Sequence, residues 1–203
     1  KLLQPLFLET NYTLEQLADA ATLGTETSSA FSLDHFKYHL ILHPTSKGSA
    51  REWGNENFEN LVRLLPKENF TLYLCGLESD RTKLAPLLEK CDGEYFIDCI
   101  GKFNLSTYID FIQAADGLIA NSTGPLHIAA LSNKDAFGIY PPIKPMHPGR
   151  WSPIGKHSQV FVLDKSCESC RHTQEACACM LAIQPMAVAE AIKQARQRKL
   201  NKL

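Results

Sequence analysis

The chain has 203 residues, of which 44% are hydrophobic and 21% are charged, and this composition is ordinary for a globular protein with a sizeable core. Its formal net charge is −1, so no overall positive field recruits nucleic acid, and we expect no nucleic-acid partner. No apolar stretch approaches the roughly 18 residues of a membrane-spanning helix, so we expect no transmembrane segment.

Residues 1–39 lack the regular pattern of the rest of the chain. The run Thr13-Leu14-Glu15-Gln16 resembles a capping box and predicts a short helix through Ala21. Residues 22–32 are rich in Ser, Thr and Gly, which is typical of a linker. We therefore interpret residues 1–39 as the linker or tail of a preceding domain, with a packed N-terminal extension as the alternative.

From residue 40 onward, short apolar runs alternate with segments of helical period. One such segment places Phe58, Leu61, Val62 and Leu65 on one helix face, and Asn104 can cap another helix. This alternation predicts parallel βαβ units, and hence an α/β fold with a Rossmann-like, doubly wound parallel sheet over residues 40–203. The predicted strands are 40–42, 70–75, 95–97, 117–120, 136–140 and 159–163, and Pro185 starts the last helix.

Ligands of such sheets bind beyond the carboxyl ends of the strands. This rule selects the loops at residues 43–53, 76–81, 99–104 and 121–127 as candidate binding loops.

The most informative of these loops runs from Asn121 to Ala130 and joins a strand to a helix. Pro125 suits the first helical position, with Gly124 or Thr123 as the N-cap. The exposed amides and the helix dipole then favour an anion, while the missing Cβ of Gly124 admits a ligand close to the backbone. The alternative is a well-capped helix start without a ligand.

The loop after the first strand adds two cations to this prediction. Lys47 and Arg51 are placed to meet phosphate oxygens, in a segment that also contains Thr45 and Ser46. The alternative is a solvated loop anchored by Trp53. Neither a Walker motif nor a Gly-x-Gly-x-x-Gly pattern is present, which disfavours a nucleoside triphosphatase and a nicotinamide dehydrogenase.

The third loop contains Glu78 and Asp80 directly after a strand. Either carboxylate can accept hydrogen bonds from ribose hydroxyls. The equally weighted alternative is that both acids only complement the dipole at a helix start.

These loops, taken together, resemble a known family. The order His-Pro-Thr-Ser…Arg-Glu-Trp, Cys-Gly-Leu-Glu, Ile-Gly-Lys-Phe-Asn-Leu and Asn-Ser-Thr-Gly-Pro-Leu-His-Ile-Ala-Ala is similar to the C-terminal domain of the family 9 glycosyltransferases, which are lipopolysaccharide heptosyltransferases. The resemblance covers roughly residues 40–195 and implies the C-terminal half of a GT-B fold, with the acceptor domain preceding it.

The resemblance implies a function as well. It implies transfer of a sugar, with heptose expected, from an ADP-sugar donor to the lipopolysaccharide core, without a metal or other cofactor. Donor-binding roles are implied for Thr45, Ser46, Lys47, Arg51, Glu78, Asp80, Ser122, Thr123, Gly124, Pro125 and His127. The catalytic base is expected outside this chain, in the acceptor half.

One departure from the family pattern concerns the sugar. The family commonly has Asp directly before the Thr/Ser-Gly-Pro element, and this chain has Ser122 there. Another hexose or heptose donor therefore stays open. So do two alternative functions: a non-catalytic nucleotide-sugar-binding module, and a sugar epimerase of GT-B architecture.

The remaining titratable residues receive weaker interpretations. His43 precedes Pro44 and is interpreted as structural, and Cys75, Cys91 and Cys99 as small core residues. Four clustered cysteines, Cys167, Cys170, Cys177 and Cys179, leave structural zinc open, but Cys-x-Cys is a poor half-site and unligated thiols are favoured. The odd total of seven cysteines favours a reducing, cytoplasmic compartment.

The C-terminal helix carries several cations. Lys193, Arg196, Arg198, Lys199 and Lys202 are placed for peripheral contact with anionic lipid at the inner membrane. A solvated helix end is the favoured alternative.

Overall fold

The computed structural model describes residues 12–20, 31–165, 167 and 177–201. Within these residues, six parallel strands form one sheet in the order β3-β2-β1-β4-β5-β6. The strands are β1 Tyr38–His43, β2 Phe70–Leu74, β3 Phe96–Asp98, β4 Gly117–Asn121, β5 Asp135–Ile139 and β6 Ser158–Phe161. This order confirms the predicted Rossmann-like, doubly wound α/β fold.

Helices cover both faces of the sheet, and a short 3-10 turn at Glu78–Asp80 follows β2. They are α1 Leu14–Ala20, α2 Asn55–Leu64, α3 Ala85–Leu88, α4 Leu105–Ala114, α5 Gly124–Leu131, α6 Pro148–Trp151, α7 Ala178–Leu181 and α8 Pro185–Leu200. The last helix begins at Pro185 as predicted. Among the described residues, no helix is both long and apolar enough to cross a membrane.

The strand sequences divide the core into two layers because successive side chains point to opposite faces. Leu40 and Leu42 of β1 face one layer, which they share with α2 and α8. Ile41, between them, faces the other layer, which it shares with α4 and α5. Burial on both faces explains why the central strands are continuous apolar runs rather than alternating ones.

The N-terminal segment differs in one respect from its prediction. β1 begins at Tyr38, so the predicted boundary at residue 40 falls inside a strand, and Phe31 and Leu33 already pack against the core. The predicted capping box is present: Gln16 N donates to Thr13 Oγ1 at 3.1 Å, and Thr13 N donates to Gln16 Oε1 at 2.8 Å. Most of the predicted linker lies outside the described residues, and its assignment stays a prediction.

The cations of α8 have partners at the amino ends of the strands. Arg198 pairs with Asp135 at 2.8 Å, and Lys199 pairs with Asp116 at 2.8 Å. Arg196 Nε donates to Asn69 O, so these side chains are not a solvated helix end as favoured from the sequence. Lys202 lies outside the described residues.

Cys177 and Cys179 are buried in the layer beside α8, and Cys167 packs against it. Among the described residues, no group of three or more His, Cys, Asp and Glu side chains is placed to hold a metal ion. Cys170 lies outside the described residues, so the choice between thiols and zinc stays a prediction.

Candidate functional site

A cleft of about 420 Å³ opens at the carboxyl ends of the strands. The loops after β1, β2, β3 and β4 line it, and these are the four loops that the strand-end rule selects. β1 and β4 are neighbours in the sheet but not in the chain, so the cleft lies where the strand order reverses. Its walls include Thr45, Ser46, Lys47, Asp80, Thr123, Gly124 and Pro125 from the predicted donor residues.

Asn121 fixes the two central loops of the cleft to each other. Its side chain is fully buried, where Oδ1 accepts from Trp53 N at 3.0 Å and Nδ2 donates to Pro44 O at 2.7 Å. The Trp53 ring is also fully buried, and its Nε1 donates to Ile183 O at 2.9 Å. The loop after β1 is therefore anchored at both of its ends.

Internal hydrogen bonds also fix the tip of the loop after β1. Ser46 N donates to Glu52 Oε1 at 2.9 Å, and Ser46 Oγ lies 2.8 Å from Ala50 O. Lys47 and Gly48 have φ angles of 49° and 80°, so they form a left-handed turn between these contacts. The contacts of Ser46 hold the backbone of this turn in place, and Lys47 in the turn lines the cleft.

Thr45 and Asp80, both predicted to contact the donor, contact each other. Thr45 Oγ1 donates to Asp80 Oδ2 at 2.9 Å, and Leu77 N donates to the same oxygen at 2.9 Å. The Thr45 hydroxyl proton is thus engaged, and toward a ligand this oxygen offers lone pairs. Asp80 holds the loops after β1 and β2 together while lining the cleft.

The start of α5 is open toward the cleft. Thr123 is the N-cap, but its side chain does not cap the helix; its hydroxyl donates to Asn121 O at 3.2 Å. The helix begins at Gly124, so Pro125 occupies the second helical position rather than the predicted first. Gly124 is exposed, and a Cβ there would meet no other described heavy atom within 4 Å. The first-turn amides therefore face space that an anion can occupy.

Four predicted donor residues are not among the residues that line the cleft: Arg51, Glu78, Ser122 and His127. Glu78 pairs with Arg81 at 2.7 Å, and this hydrogen-bonded partner lowers the pKa of Glu78. Ser122 is hydrogen-bonded to the Tyr140 hydroxyl, which donates to Trp151 O at 2.6 Å. His127 is half-buried, and burial lowers its pKa. Their donor roles stay predictions.

Several residues that line the cleft were not predicted as site residues. Among them are His43 at the end of β1 and Tyr108 on α4, which contact each other. His43 Nδ1 lies 3.0 Å from the Tyr108 hydroxyl, and burial lowers the pKa of His43 to about 4. Cys75 and Cys99 are buried core residues, as predicted, and they also line the cleft. The available signal was position: Cys75 is the last residue of the predicted strand 70–75, and Cys99 is the first residue of the candidate binding loop 99–104.

The mouth of the cleft has an apolar rim. Leu77 and Leu105 are 46% and 70% exposed, and Phe103 stacks on Tyr108 with ring centroids 6.0 Å apart. Asn104 caps α4 as predicted, accepting from Thr107 N at 2.9 Å, and so fixes the start of the helix that carries Leu105. Exposed apolar side chains beside a polar floor suit a ligand with a flat apolar part and a charged part.

Comparison with known proteins adds to this geometry. Residues 3–181 match the family model described as "Glycosyltransferase family 9 (heptosyltransferase)". Lipooligosaccharide heptosyltransferase 2 of Haemophilus influenzae is 25% identical over 103 residues, which are 49% of this chain and 30% of that protein. The chain spans about a third of the length of the curated relatives it matches.

Solved structures share the fold. The structure of Escherichia coli ADP-heptose lipopolysaccharide heptosyltransferase II superposes with a TM-score of 0.67 at 20% identity, covering 83% of this chain and 49% of that one. A structure of the E. coli heptosyltransferase WaaC with ADP gives a TM-score of 0.61 at 18% identity, covering 82% of this chain and 47% of that one. These likenesses show the fold.

Proposed function

The chain belongs to glycosyltransferase family 9, and we propose that it is the donor-binding part of a transferase that moves a sugar from an ADP-sugar to the lipopolysaccharide core. Heptose is the proposed sugar, because relatives that match the chain are named lipooligosaccharide or lipopolysaccharide heptosyltransferases. Ser122 stands where the family commonly has Asp, so transfer of another hexose or heptose is the alternative, and a comparison of ADP-sugar donors tests it.

One observation carries the proposal: the cleft combines an uncapped helix start, a cation and an apolar rim. The amides at the start of α5 and the Lys47 ammonium suit the diphosphate. The rim of Leu77 and Leu105 suits the nucleoside base, and the carboxylate of Asp80, which lines the same cleft, suits the hydroxyls of a ribose. A nucleoside diphosphate, with its flat base, its ribose hydroxyls and its anionic phosphates, matches this combination of apolar, polar and cationic groups.

The proposed reaction is displacement at the anomeric carbon of the donor. An acceptor hydroxyl attacks, the bond to the diphosphate breaks, and the transition state has oxocarbenium character as in glycoside hydrolysis. Negative charge grows on the leaving diphosphate. Donors that are already oriented stabilise that charge most, and here these are the α5 amides and Lys47.

The acceptor hydroxyl must lose a proton to a base. Among the described residues that line the cleft, Asp80 is the one carboxylate, and its Oδ2 already accepts from Thr45 and Leu77. We therefore propose that the base and the acceptor pocket belong to an acceptor domain, and that closure of the two halves brings hydroxyl and anomeric carbon together. The 203 residues alone should bind the donor and transfer no sugar.

Calorimetric titration with ADP, ADP-heptose, UDP and adenosine tests the donor site. ADP and ADP-heptose should bind in the same range, with UDP and adenosine weaker. Absence of ADP binding to the folded chain would overturn the donor-site proposal. ADP binding combined with epimerisation of ADP-heptose by the chain would favour the epimerase.

We further propose that the chain acts in the cytoplasm, where a lipid-anchored acceptor would be reached at the inner membrane surface. Lys193 of α8 pairs with Glu190 at 2.9 Å, and Arg198 and Lys199 pair with Asp135 and Asp116. Because these cations are paired with carboxylates, contact with lipid through α8 should be weak. Flotation with anionic vesicles at low salt tests this expectation.

A further inference from the structure

Cys75 and Cys99 are neighbours across two parallel strands. In the β2–β3 pair, Leu74 lies opposite Asp98. Cys99 N donates to Leu74 O at 2.9 Å and Gly101 N donates to Gly76 O at 3.0 Å, so the ladder continues beyond the assigned strands. This register puts Cys75 directly opposite Cys99, with both side chains on the α4 face of the sheet.

The spacing suits a disulfide. Paired strands lie about 4.8 Å apart, within the range of roughly 4.4–6.8 Å between Cα atoms that disulfides require. Both residues are free thiols that line the cleft, and Cys99 is the more exposed of the two, at 7% against 1% for Cys75.

The two thiols differ in their surroundings. Burial raises the pKa of Cys75, which also bonds the Tyr108 hydroxyl. The hydrogen bond from Cys75 lowers the pKa of Cys99, and the nearby Lys102 acts in the same direction. Since the thiolate is the nucleophile in thiol–disulfide exchange, Cys99 is the attacking sulfur and Cys75 the resolving one.

We propose that Cys75 and Cys99 form a redox-sensitive thiol pair that a low-molecular-weight disulfide converts to an intramolecular disulfide in the wall of the cleft. The Cys99 thiolate attacks one sulfur of the reagent RSSR and releases RS⁻. Cys75 then loses its proton and attacks Cys99 Sγ, releasing a second RS⁻. In sum, two cysteine thiols and RSSR give one protein disulfide and two RSH.

The modification should weaken nucleotide binding, and this consequence rests on the proposed function. Oxidation joins the two sulfurs in a covalent bond, which displaces Cys75 Sγ from its place beside the Tyr108 hydroxyl. Tyr108 also contacts His43 in the same wall. Loss of this one hydrogen-bonded arrangement should lower ADP affinity by about fivefold.

The disulfide itself is tested without nucleotide, on the folded full chain treated with oxidised glutathione and then alkylated. Digestion with trypsin and an Asp-specific protease separates Cys91 from Cys99, because Asp98 lies between them. Mass spectrometry should find the Cys75 and Cys99 peptides joined, in wild type and equally in Cys91→Ser. Both thiols remaining alkylated, or Cys99 joined to another cysteine, would overturn the proposal.

The effect on binding is measured next, by calorimetry with ADP on reduced and oxidised protein. Oxidation should weaken ADP in wild type and in Cys91→Ser, but not in the Cys75→Ser/Cys99→Ser double variant, and dithiothreitol should restore affinity. A mapped disulfide with unchanged ADP affinity would overturn the regulatory consequence. Failure of reduced, folded protein to bind ADP would instead count against the donor site, whatever the mapping shows.

Discussion

Asn121 and Trp53 are joined by a hydrogen bond of 3.0 Å from the Trp53 backbone amide to the Asn121 side chain, in a place where Asn121 is wholly buried. The other half of the same side-chain amide donates to Pro44 O. One side chain from β4 therefore satisfies a donor and an acceptor of the loop after β1. This geometry requires an amide, since it uses one acceptor and one donor.

Replacing Asn121 should destabilise the protein. Asn121→Ala leaves a buried N–H and a buried C=O without their partner, at a cost of about 2–4 kcal/mol in the free energy of unfolding. Asn121→Asp keeps the acceptor but sets a carboxylate against Pro44 O, and it should cost at least as much at pH 7. Urea denaturation measures both, with Asn60→Ala on the surface of α2 as the control. An Asn121→Ala variant as stable as wild type would contradict the anchoring of the loop after β1 by Asn121.

Gly124→Ala should separate folding from binding. Because a Cβ there meets no described atom within 4 Å, the variant should be as stable as wild type, or more stable by up to about 1 kcal/mol from its helix propensity. The methyl group would occupy the space where we place the diphosphate, so ADP should bind about tenfold more weakly. Adenosine affinity serves as the control and should not change. An unaltered ADP affinity would show that the phosphates do not bind at the start of α5.

Lys47→Asn should remove a charge without disturbing the turn. Asn tolerates the left-handed conformation that Lys47 adopts, at φ 49°. ADP affinity should fall about fivefold at low salt, with little change for adenosine. Lys67→Asn, just before β2 at the amino ends of the strands, removes the same charge and should leave ADP binding intact. Equal losses in both variants would mean that only net charge matters.

His43 should contribute to the pH dependence of stability. Burial lowers its pKa from 6.5 to about 4, with Asp80 opposing the shift. Between these values the unfolded chain binds a proton that the folded chain excludes. Stability therefore falls as pH drops through this window, by at most about 3 kcal/mol from this group.

The measurement compares unfolding in urea at pH 7 and pH 4.5. His43→Gln, which keeps an acceptor for Tyr108, should lose less stability over this interval than wild type. His35→Gln, at an exposed position, should behave as wild type. The same pH slope in His43→Gln and wild type would show that His43 is not the group responsible.

The sequence predicted the sheet and the loops that line the cleft well, because both depend on local patterns. Apolar runs at regular spacing specify strands and helices, and the strand-end rule then selects the loops. Asn104 was identified as a helix cap for the same reason, since the side chain and the amide it binds are three residues apart.

Contacts between residues that are distant in the sequence were harder to predict. Thr45 and Asp80 were each expected to bind a ligand, and nothing local indicates that they also bind each other. Cys75 lies opposite Cys99 because of the strand register, and His43 contacts Tyr108 because of where α4 packs. A single sequence specifies neither the register nor the packing. Glu78 pairs with Arg81, a partner three residues away that the sequence analysis did not consider.

The anchoring by Asn121 has an evolutionary consequence. Asn121 and Trp53 brace the loop after β1 without lining the cleft, whereas Lys47, Gly124 and Leu105 line the cleft and take no part in that contact. Replacements at these three lining positions leave the contacts of Asn121 intact, so the positions can change during evolution without loss of the fold. Under the proposed function, single replacements at these positions would alter the walls of the donor site while the folded framework stays in place.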